Sequence, residues 1–255
     1  MRCLSCSRSF PADASGAFTD LTVNAGARLY SESGPSSQSL FQQPQISFIY
    51  EKGWRQSFAW AGFPGEESEF ATALSWFSSA PPNALLLDLS CGSGLFTRRF
   101  AASARFRTVA MDFSDNMLKE THASAPAVPL FRADAARLPL QTGSVDCVHA
   151  GAALHCWPSP SSALAEISRV LKPGGVFVGS TFMDPASGLL GQALGDAAVL
   201  PLARGFQAQA SRNFRWWNEA EIRELGELVG LTGFERERNR QFIIFRMVKP
   251  PRAEA

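Results

Sequence analysis

The stretch Leu85-Leu-Leu-Asp-Leu-Ser-Cys-Gly-Ser-Gly-Leu-Phe-Thr-Arg-Arg-Phe100 decides the fold. Apolar residues run into Asp88, a Ser-Cys-Gly-Ser-Gly turn follows, and the apolar and basic segment after the turn is typical of a helix. A buried strand, a tight glycine turn and a helix, in this order, open a nucleotide-binding βαβ unit. The pattern predicts a parallel α/β sheet with the Asp88 carboxylate at the end of its first strand.

The turn differs from a dinucleotide-binding fingerprint, because Ser90 takes the first glycine position and no third glycine follows Gly94 at the expected spacing. A pyrophosphate cradle, and with it an NAD-dependent oxidoreductase, is therefore disfavoured. Gly92 and Gly94 allow a ligand to approach the backbone closely, and Asp88 can balance a positive charge. These features favour a ligand with an ammonium group and no phosphate, and S-adenosylmethionine is such a ligand.

Two further acids follow predicted strands. Asp112 ends the apolar run that begins at Thr108, and Asp134 ends the run that begins at Pro129. The carboxyl ends of parallel strands meet at one edge of a sheet, where ligands bind. Asp112 can accept both ribose hydroxyls of a nucleoside. Asp134 could accept the adenine amino group, while the amide of Ala135 could donate to a ring nitrogen.

The remaining pattern completes the sheet. Ser144–Gly151 and Gly175–Phe182 predict two more parallel strands with a helix between them. Residues 233–238 and 241–248 predict two strands that must be antiparallel because the link between them is short. The expected fold is a Rossmann-like, doubly wound, seven-stranded α/β sheet, with five parallel strands and a C-terminal antiparallel hairpin.

The chain divides into segments of different composition. Residues 1–39 contain a Cys-x-x-Cys knuckle and predict the remnant of a zinc ribbon, residues 40–82 an aromatic-rich helical cap, residues 83–249 the ligand-binding domain, and residues 250–255 a tail. An insertion at 184–212 carries a helical apolar stripe, which predicts a lid or a packing helix. It is also the best candidate for contact with a lipid surface.

Cys3 and Cys6 supply only half of a tetrahedral zinc site. The other cysteines, Cys91, Cys147 and Cys156, fall inside the predicted α/β domain, so zinc binding is not expected. Scattered cysteines do not form a disulfide framework and favour a reducing compartment.

The formal net charge of +1 gives no electrostatic footprint for nucleic acid. No apolar run reaches the ~20 residues of a membrane span, and the first residues predict no signal peptide.

Five ordered motifs resemble class I S-adenosylmethionine-dependent methyltransferases of the ubiquinone/menaquinone-biosynthesis type, also called methyltransferase type 11. The motifs are DLSCGSG, VAMDFSDNML, RADAARLPL, GSVDCVHAGAALHCW and AEISRVLKPGGVF. Together with GWRQSFAWAGFPG and the leading Cys-x-x-Cys, they are most similar to plastid methyltransferases of plants and algae that are associated with plastoglobules. Members of that group, like a group of ribosomal-RNA guanine methyltransferases, carry two such cysteine pairs. This chain retains one.

The resemblance implies S-adenosyl-L-methionine as the cofactor and a chloroplast (plastoglobule) location. It implies that the turn holds the methionine part, that Asp112 holds the ribose, that the residues after the second and third strands border the base, and that the fourth strand ends beneath the sulfonium. The expected cofactor-binding residues are Asp88, Ser90, Cys91, Gly92, Gly94, Asp112, Phe113, Met117, Ala133, Asp134, Ala135 and Ala150.

A base is needed only if the acceptor must lose a proton. His155, just beyond the fourth strand, is the candidate, and its alternative role is to hold the following loop. The expected activity is methyl transfer by in-line displacement to a small lipophilic acceptor, such as a prenylquinone. The alternatives are an RNA methyltransferase and a non-catalytic cofactor-binding protein at lipid droplets.

Overall fold

The computed structural model describes residues 7–10, 12–25, 62–184 and 215–251. Within these ranges, eight strands form one mixed sheet. They are β1 (Thr19–Asp20), β2 (Ala84–Leu89), β3 (Phe106–Asp112), β4 (Leu130–Arg132), β5 (Val145–Ala150), β6 (Leu171–Phe182), β7 (Thr232–Asn239) and β8 (Phe242–Val248).

The described helices connect and cover these strands. They are α1 (Glu66–Trp76), α2 (Leu95–Ala102), α3 (Asp115–Ser124), a 3₁₀ helix (Leu154–Cys156), α4 (Pro160–Val170) and α5 (Glu219–Leu228). Local sequence signals explain where several of them begin. The Ser114 hydroxyl caps α3 by accepting from the Met117 amide, and Asn218 and Glu221 form a reciprocal capping box at α5.

The strand order is β1-β4-β3-β2-β5-β6-β8-β7. Strands β2 to β6 are parallel, and the β7–β8 hairpin is antiparallel and pairs with β6 through β8. The predicted arrangement of five parallel strands and a terminal hairpin is therefore confirmed. The chain runs outward from β2 through β3 to β4 and then returns to place β5 on the other side of β2. This reversal is the point at which ligands bind in open α/β sheets.

Strand β1 is an addition to the predicted sheet. It pairs in parallel with β4, with Thr19 opposite Phe131 and Asp20 opposite Arg132. The Arg132 guanidinium lies 3.1 Å from the Asp20 carboxylate and also donates to the Phe113 carbonyl. A strand of two residues has no periodicity, so its position on the sheet edge could not be predicted from the sequence.

Helices cover both faces of the sheet, which explains the unbroken apolar run in β2. Leu87 and Leu89 belong to a core that includes Leu164 of α4 and Ile222 of α5. Leu86 points to the other face, where its core includes Ala73 of α1, Phe77 directly after α1, and Phe100 of α2. A strand buried on both faces shows no alternation of apolar and polar residues.

Several predicted features lie outside the described residues. They are the knuckle cysteines Cys3 and Cys6, nearly all of the 184–212 insertion, residues 40–61 of the aromatic segment, and residues 252–255 of the tail. In the ranges that are described, the helices are too short or too polar to cross a membrane.

Candidate functional site

A cleft opens at the carboxyl ends of the central parallel strands, with about 890 Å³ of space that includes its open, solvent-filled mouth. Four segments form its walls: the turn after β2, the junction of β3 and α3, the segment after β4, and the loop after β5. The lining residues are mostly apolar. They are Leu89, Ser90, Gly92, Asp112, Phe113, Ser114, Met117, Ala133, Asp134, Ala135, Ala136, Gly151, Ala152, Ala153, Cys156, Trp157, Pro158, Ser159 and Ala163.

Two backbone amides hold the Asp112 carboxylate in place in the cleft. One carboxylate oxygen accepts from the Gly92 amide at 2.9 Å, and the other accepts from the Ser114 amide at 2.8 Å. Burial raises the pKa of Asp112, and the backbone amides of Ser114, Gly92 and Phe113 partly offset this effect. Each carboxylate oxygen has a second lone pair, so the residue can still accept two hydrogen bonds. This capacity matches two neighbouring hydroxyl groups of a ribose.

The segment after β4 forms the wall beyond Asp112. The Ala133 amide donates to the Asp112 carbonyl, and the Asp134 carboxylate accepts from the Ala136 amide at 2.9 Å. Phe113 and Met117 face the same cleft. The structure therefore brings together eight of the twelve expected cofactor-binding residues: Ser90, Gly92, Asp112, Phe113, Met117, Ala133, Asp134 and Ala135.

Asp88 is placed differently from the expectation. Its side chain is 1% exposed and does not line the cleft. One carboxylate oxygen lies 2.8 Å from the His149 ring nitrogen, and the other accepts from the Thr97 hydroxyl. Asp88 lies on the same strand face as Leu86, which is the face that α1 and α2 cover. Its side chain therefore contacts His149 and Thr97 beneath the turn and does not line the described cleft.

Three other expected cofactor-binding residues also lie outside the cleft lining. The Cys91 thiol points toward Thr121 of α3, and burial raises the pKa of this thiol. Gly94 directly precedes α2 and lies close to Thr121 of α3. Ala150 is fully buried at the end of β5, but the residues that follow it, Gly151 to Ala153, form a wall of the cleft.

His155 is buried against strand β6. Its side chain is 6% exposed, its ring nitrogen is 3.2 Å from the Thr181 hydroxyl, and the ring meets Phe182 edge-on. Burial lowers the pKa of His155 to about 3, so the imidazole is neutral near pH 7. It does not line the cleft. These contacts fit the alternative role of holding the loop, and the role of general base stays a prediction.

The burial of His155 predicts an acid-sensitive fold. Between the folded pKa of about 3 and the unfolded value of 6.5, the unfolded state binds more protons, so stability falls as the pH falls. The contribution of one such group is at most about 1.4 kcal/mol per pH unit. His155→Gln keeps a hydrogen-bonding side chain that does not titrate. Urea denaturation from pH 7 to pH 4.5 should show a steeper loss of stability for wild type. Parallel curves would contradict the buried neutral imidazole.

The loop after β5 contributes residues that the sequence reasoning missed. Ala152 has a positive φ of 49°, which is uncommon for a residue with a side chain. Its amide donates to the Ser180 hydroxyl at 2.8 Å, and Ser180 in turn donates to the buried carboxyl group of Glu69. Trp157 closes the same wall. The local signals for this wall were the motif GSVDCVHAGAALHCW, which ends at Trp157, and the proline that follows it at position 158.

In the part of the chain that the structure describes, no group of three or more histidine, cysteine, aspartate or glutamate residues could hold a metal ion. The described cleft has the features of a nucleoside-binding site: carboxylates with free acceptor capacity on Asp112 and Asp134, apolar walls and a glycine turn.

Comparisons with known proteins agree with this geometry. A family model described as a methyltransferase domain matches residues 87–179. An uncharacterized chloroplastic methyltransferase of Arabidopsis thaliana is 43% identical over 98% of this chain and 71% of its own length. A demethylmenaquinone methyltransferase of Staphylococcus aureus is 33% identical over 61% of this chain and 70% of its own length.

The solved structures show the same fold. A phosphoethanolamine N-methyltransferase of Haemonchus contortus, in complex with S-adenosyl-L-methionine, aligns with 87% of this chain and 61% of its own. The TM-score is 0.66 and the sequence identity is 17%. Fold, cleft and relatives define the class of protein, a Rossmann-like methyltransferase. The chain belongs to the class I S-adenosylmethionine-dependent methyltransferases, and its cofactor is S-adenosyl-L-methionine.

Proposed function

We propose that this protein methylates a small lipophilic acceptor, such as a prenylated quinol, in the chloroplast. The observation that carries the proposal is the composition of the cleft. Its walls are mainly alanine, aromatic and other apolar side chains, and among the described residues that line it there is no lysine or arginine. A phosphorylated or nucleic-acid acceptor would favour cationic side chains at the site. An apolar acceptor requires none.

The cofactor orientation is proposed from the donor and acceptor groups of the cleft. Asp112 would accept from the ribose hydroxyls, and Asp134 with the alanines beside it would border the adenine. Phe113 and Met117 would contact the nucleoside. The methionine part would then extend toward Gly92 and the loop after β5, which contains Gly151.

When bound, S-adenosylmethionine supplies a methyl group on a positively charged sulfur, already activated for transfer. The protein's own contribution is to align the acceptor with the bond that breaks and to keep water out. Alignment of this kind can contribute about 7–11 kcal/mol to catalysis. Trp157 and the neighbouring alanines form an apolar wall beside the loop after β5. Because positive charge disperses during methyl transfer, an apolar wall does not oppose the reaction.

Proton removal is not assigned to a histidine in this proposal. The ionisable residues among the described lining are Asp112, Asp134 and Cys156. Burial and the nearby Asp112 carboxylate raise the pKa of the Cys156 thiol, which therefore stays protonated. An acceptor that reacts without a dedicated base, such as a readily ionised quinol, fits this set of groups.

The relatives support the location and the acceptor class. The relative from Arabidopsis thaliana is named as chloroplastic, and the relative from Staphylococcus aureus is named for a quinone acceptor. A plastoglobule location follows only from the resemblance stated above and belongs to the same proposal.

The test is transfer of a labelled methyl group from S-adenosylmethionine. The purified protein is incubated separately with a prenylated hydroquinone, with a chloroplast lipid extract and with chloroplast RNA. Label in the organic phase, absent without protein, is the expected result. Label confined to RNA would replace this function with RNA methylation. Binding of the cofactor without label in any fraction would favour a non-catalytic protein.

A further inference from the structure

A hydrogen bond joins the wall formed by the turn after β2 to the wall formed by the loop after β5. The Trp157 indole nitrogen donates to the Ser90 hydroxyl oxygen, and the two atoms are 2.9 Å apart. Ser90 begins the turn after β2, and Trp157 follows the 3₁₀ helix after β5. Both residues line the cleft. The bond therefore connects the segments that follow the two central strands, where the chain reverses its direction of winding.

The backbone at position 90 does not itself call for serine. Ser90 has a positive φ of 56°, in the left-handed region that glycine adopts without steric cost. Serine is strained there because of its Cβ atom. The serine side chain offers one interaction that glycine lacks. Its hydroxyl group accepts the indole N–H.

Trp157 is held firmly on the opposite wall. It is 8% exposed and belongs to the large core that also contains Leu89 and Ala163. A buried indole N–H that loses its partner is costly, because the group has also lost its contact with water. At the other end of the same loop, the Ala152 amide is fixed by Ser180. Hydrogen bonds therefore hold the loop at both ends, and the bond from Trp157 to Ser90 connects it to the glycine turn.

We propose that Ser90 and Trp157 are positioning residues that set the width of the cleft at the methionine end of the cofactor. Asp112 and Asp134 follow β3 and β4, whereas the Ser90–Trp157 pair follows β2 and β5. The pair therefore lies on the side of the cleft away from the proposed adenosine site. The choice of ligand rests on the proposed function, while the hydrogen bond itself does not.

A double-mutant cycle tests the proposal. Calorimetry measures S-adenosylmethionine binding to wild type, Ser90→Gly, Trp157→Phe and the double variant. Ser90→Gly removes the acceptor and relieves the backbone strain, and Trp157→Phe keeps an aromatic ring without the N–H. Each single variant should bind about tenfold more weakly, and the double variant no more weakly than either single one, because both remove the same bond. Independent losses that combine to about a hundredfold would overturn the proposal.

Adenosine is the second ligand in the same experiment. It occupies only the proposed Asp112 side of the cleft, so all four proteins should bind it within twofold of one another. A general loss of structure would weaken both ligands, whereas loss of the positioning role weakens only S-adenosylmethionine. Equal losses for the two ligands would reduce Ser90 and Trp157 to a structural role and contradict the proposal.

Two control variants match the chemical changes at positions outside the cleft. Ala104→Gly also places glycine at a positive φ, and Trp76→Phe also truncates a partly buried indole. Both should bind the cofactor like wild type. If wild type binds S-adenosylmethionine and the Ser90 and Trp157 variants bind it equally well, the positioning role fails and the proposed function stands. If well-folded wild type does not bind it, the proposed function fails.

The ligand-free protein gives a separate readout. The Trp157 indole proton should exchange with solvent at least tenfold faster in Ser90→Gly than in wild type, as measured by NMR. Unchanged exchange would show that the hydrogen bond does not hold the loop, whatever the ligand is. This measurement also applies if Trp157→Phe fails to fold.

Discussion

Replacing Asp112 with alanine is expected to weaken S-adenosylmethionine binding about 100-fold. The Asp112 carboxylate is the cleft group with acceptor capacity for two ribose hydroxyls, since each oxygen already accepts one backbone amide and keeps a second lone pair. A hydrogen bond to a charged group contributes about 1.5–3 kcal/mol, and 100-fold corresponds to about 2.7 kcal/mol. Calorimetric titration of the two proteins measures the loss.

Two further variants help to interpret this result. Asp112→Asn keeps the side-chain volume and one acceptor oxygen, but its NH2 group would face one of the two backbone amides that donate to Asp112, so it should also bind the cofactor more weakly than wild type. Glu120→Ala removes a negative charge from an exposed position on α3 and should bind the cofactor like wild type. Circular dichroism checks that each protein is folded. A folded Asp112→Ala protein that binds within threefold of wild type would refute the assigned ribose site.

Replacing Gly94 with alanine is expected to destabilise the fold by about 2–5 kcal/mol. Gly94 has a φ of 83°, and the left-handed backbone costs an alanine roughly 1–2 kcal/mol. The new Cβ would also lie 2.7 Å from the Thr121 methyl group. Thr121 cannot easily turn away, because its hydroxyl lies within hydrogen-bonding distance of the Gly92 and Met117 carbonyls, 2.7 and 3.0 Å away, and shares its one proton between them. Overpacking of this kind adds about 1–3 kcal/mol. Urea denaturation measures the sum.

A neighbouring glycine separates the two causes. Gly92→Ala also places alanine at a positive φ, of 57°, but its Cβ would meet no atom within 4 Å. It should show only the backbone cost of roughly 1–2 kcal/mol. Adding Thr121→Ser to Gly94→Ala removes the clashing methyl group and should restore part of the stability. If the Gly92 and Gly94 variants lose equal stability, contact with α3 is not the cause.

The sequence located the ligand edge of the sheet because strand ends can be recognised without knowing the fold. Asp112 and Asp134 each end an apolar run, and parallel strands end at one edge, so their meeting in the cleft was predictable. The confirmed hairpin depended on the short link between its strands. These predictions used only local signals and a general rule of sheet topology.

The placements of Asp88 and His155 depended on contacts between distant parts of the chain. Strand β2 is apolar on both faces, so its sequence does not reveal which face Asp88 occupies. His155 is buried by Thr181 and Phe182, which lie one strand and one helix further along the chain. The bond from Trp157 to Ser90 joins positions in different loops, and no local pattern in the sequence indicates it.

The addition of β1 has a consequence for how copies of this protein behave toward one another. An unpaired edge strand is a template for a strand from another molecule. Strand β1 covers the edge of β4, and the opposite edge strand, β7, carries alternating glutamate and arginine side chains from Glu235 to Arg238. One edge is shielded by the protein's own chain and the other by charge. A very short edge strand and a charged edge strand are both poor templates for pairing with another molecule.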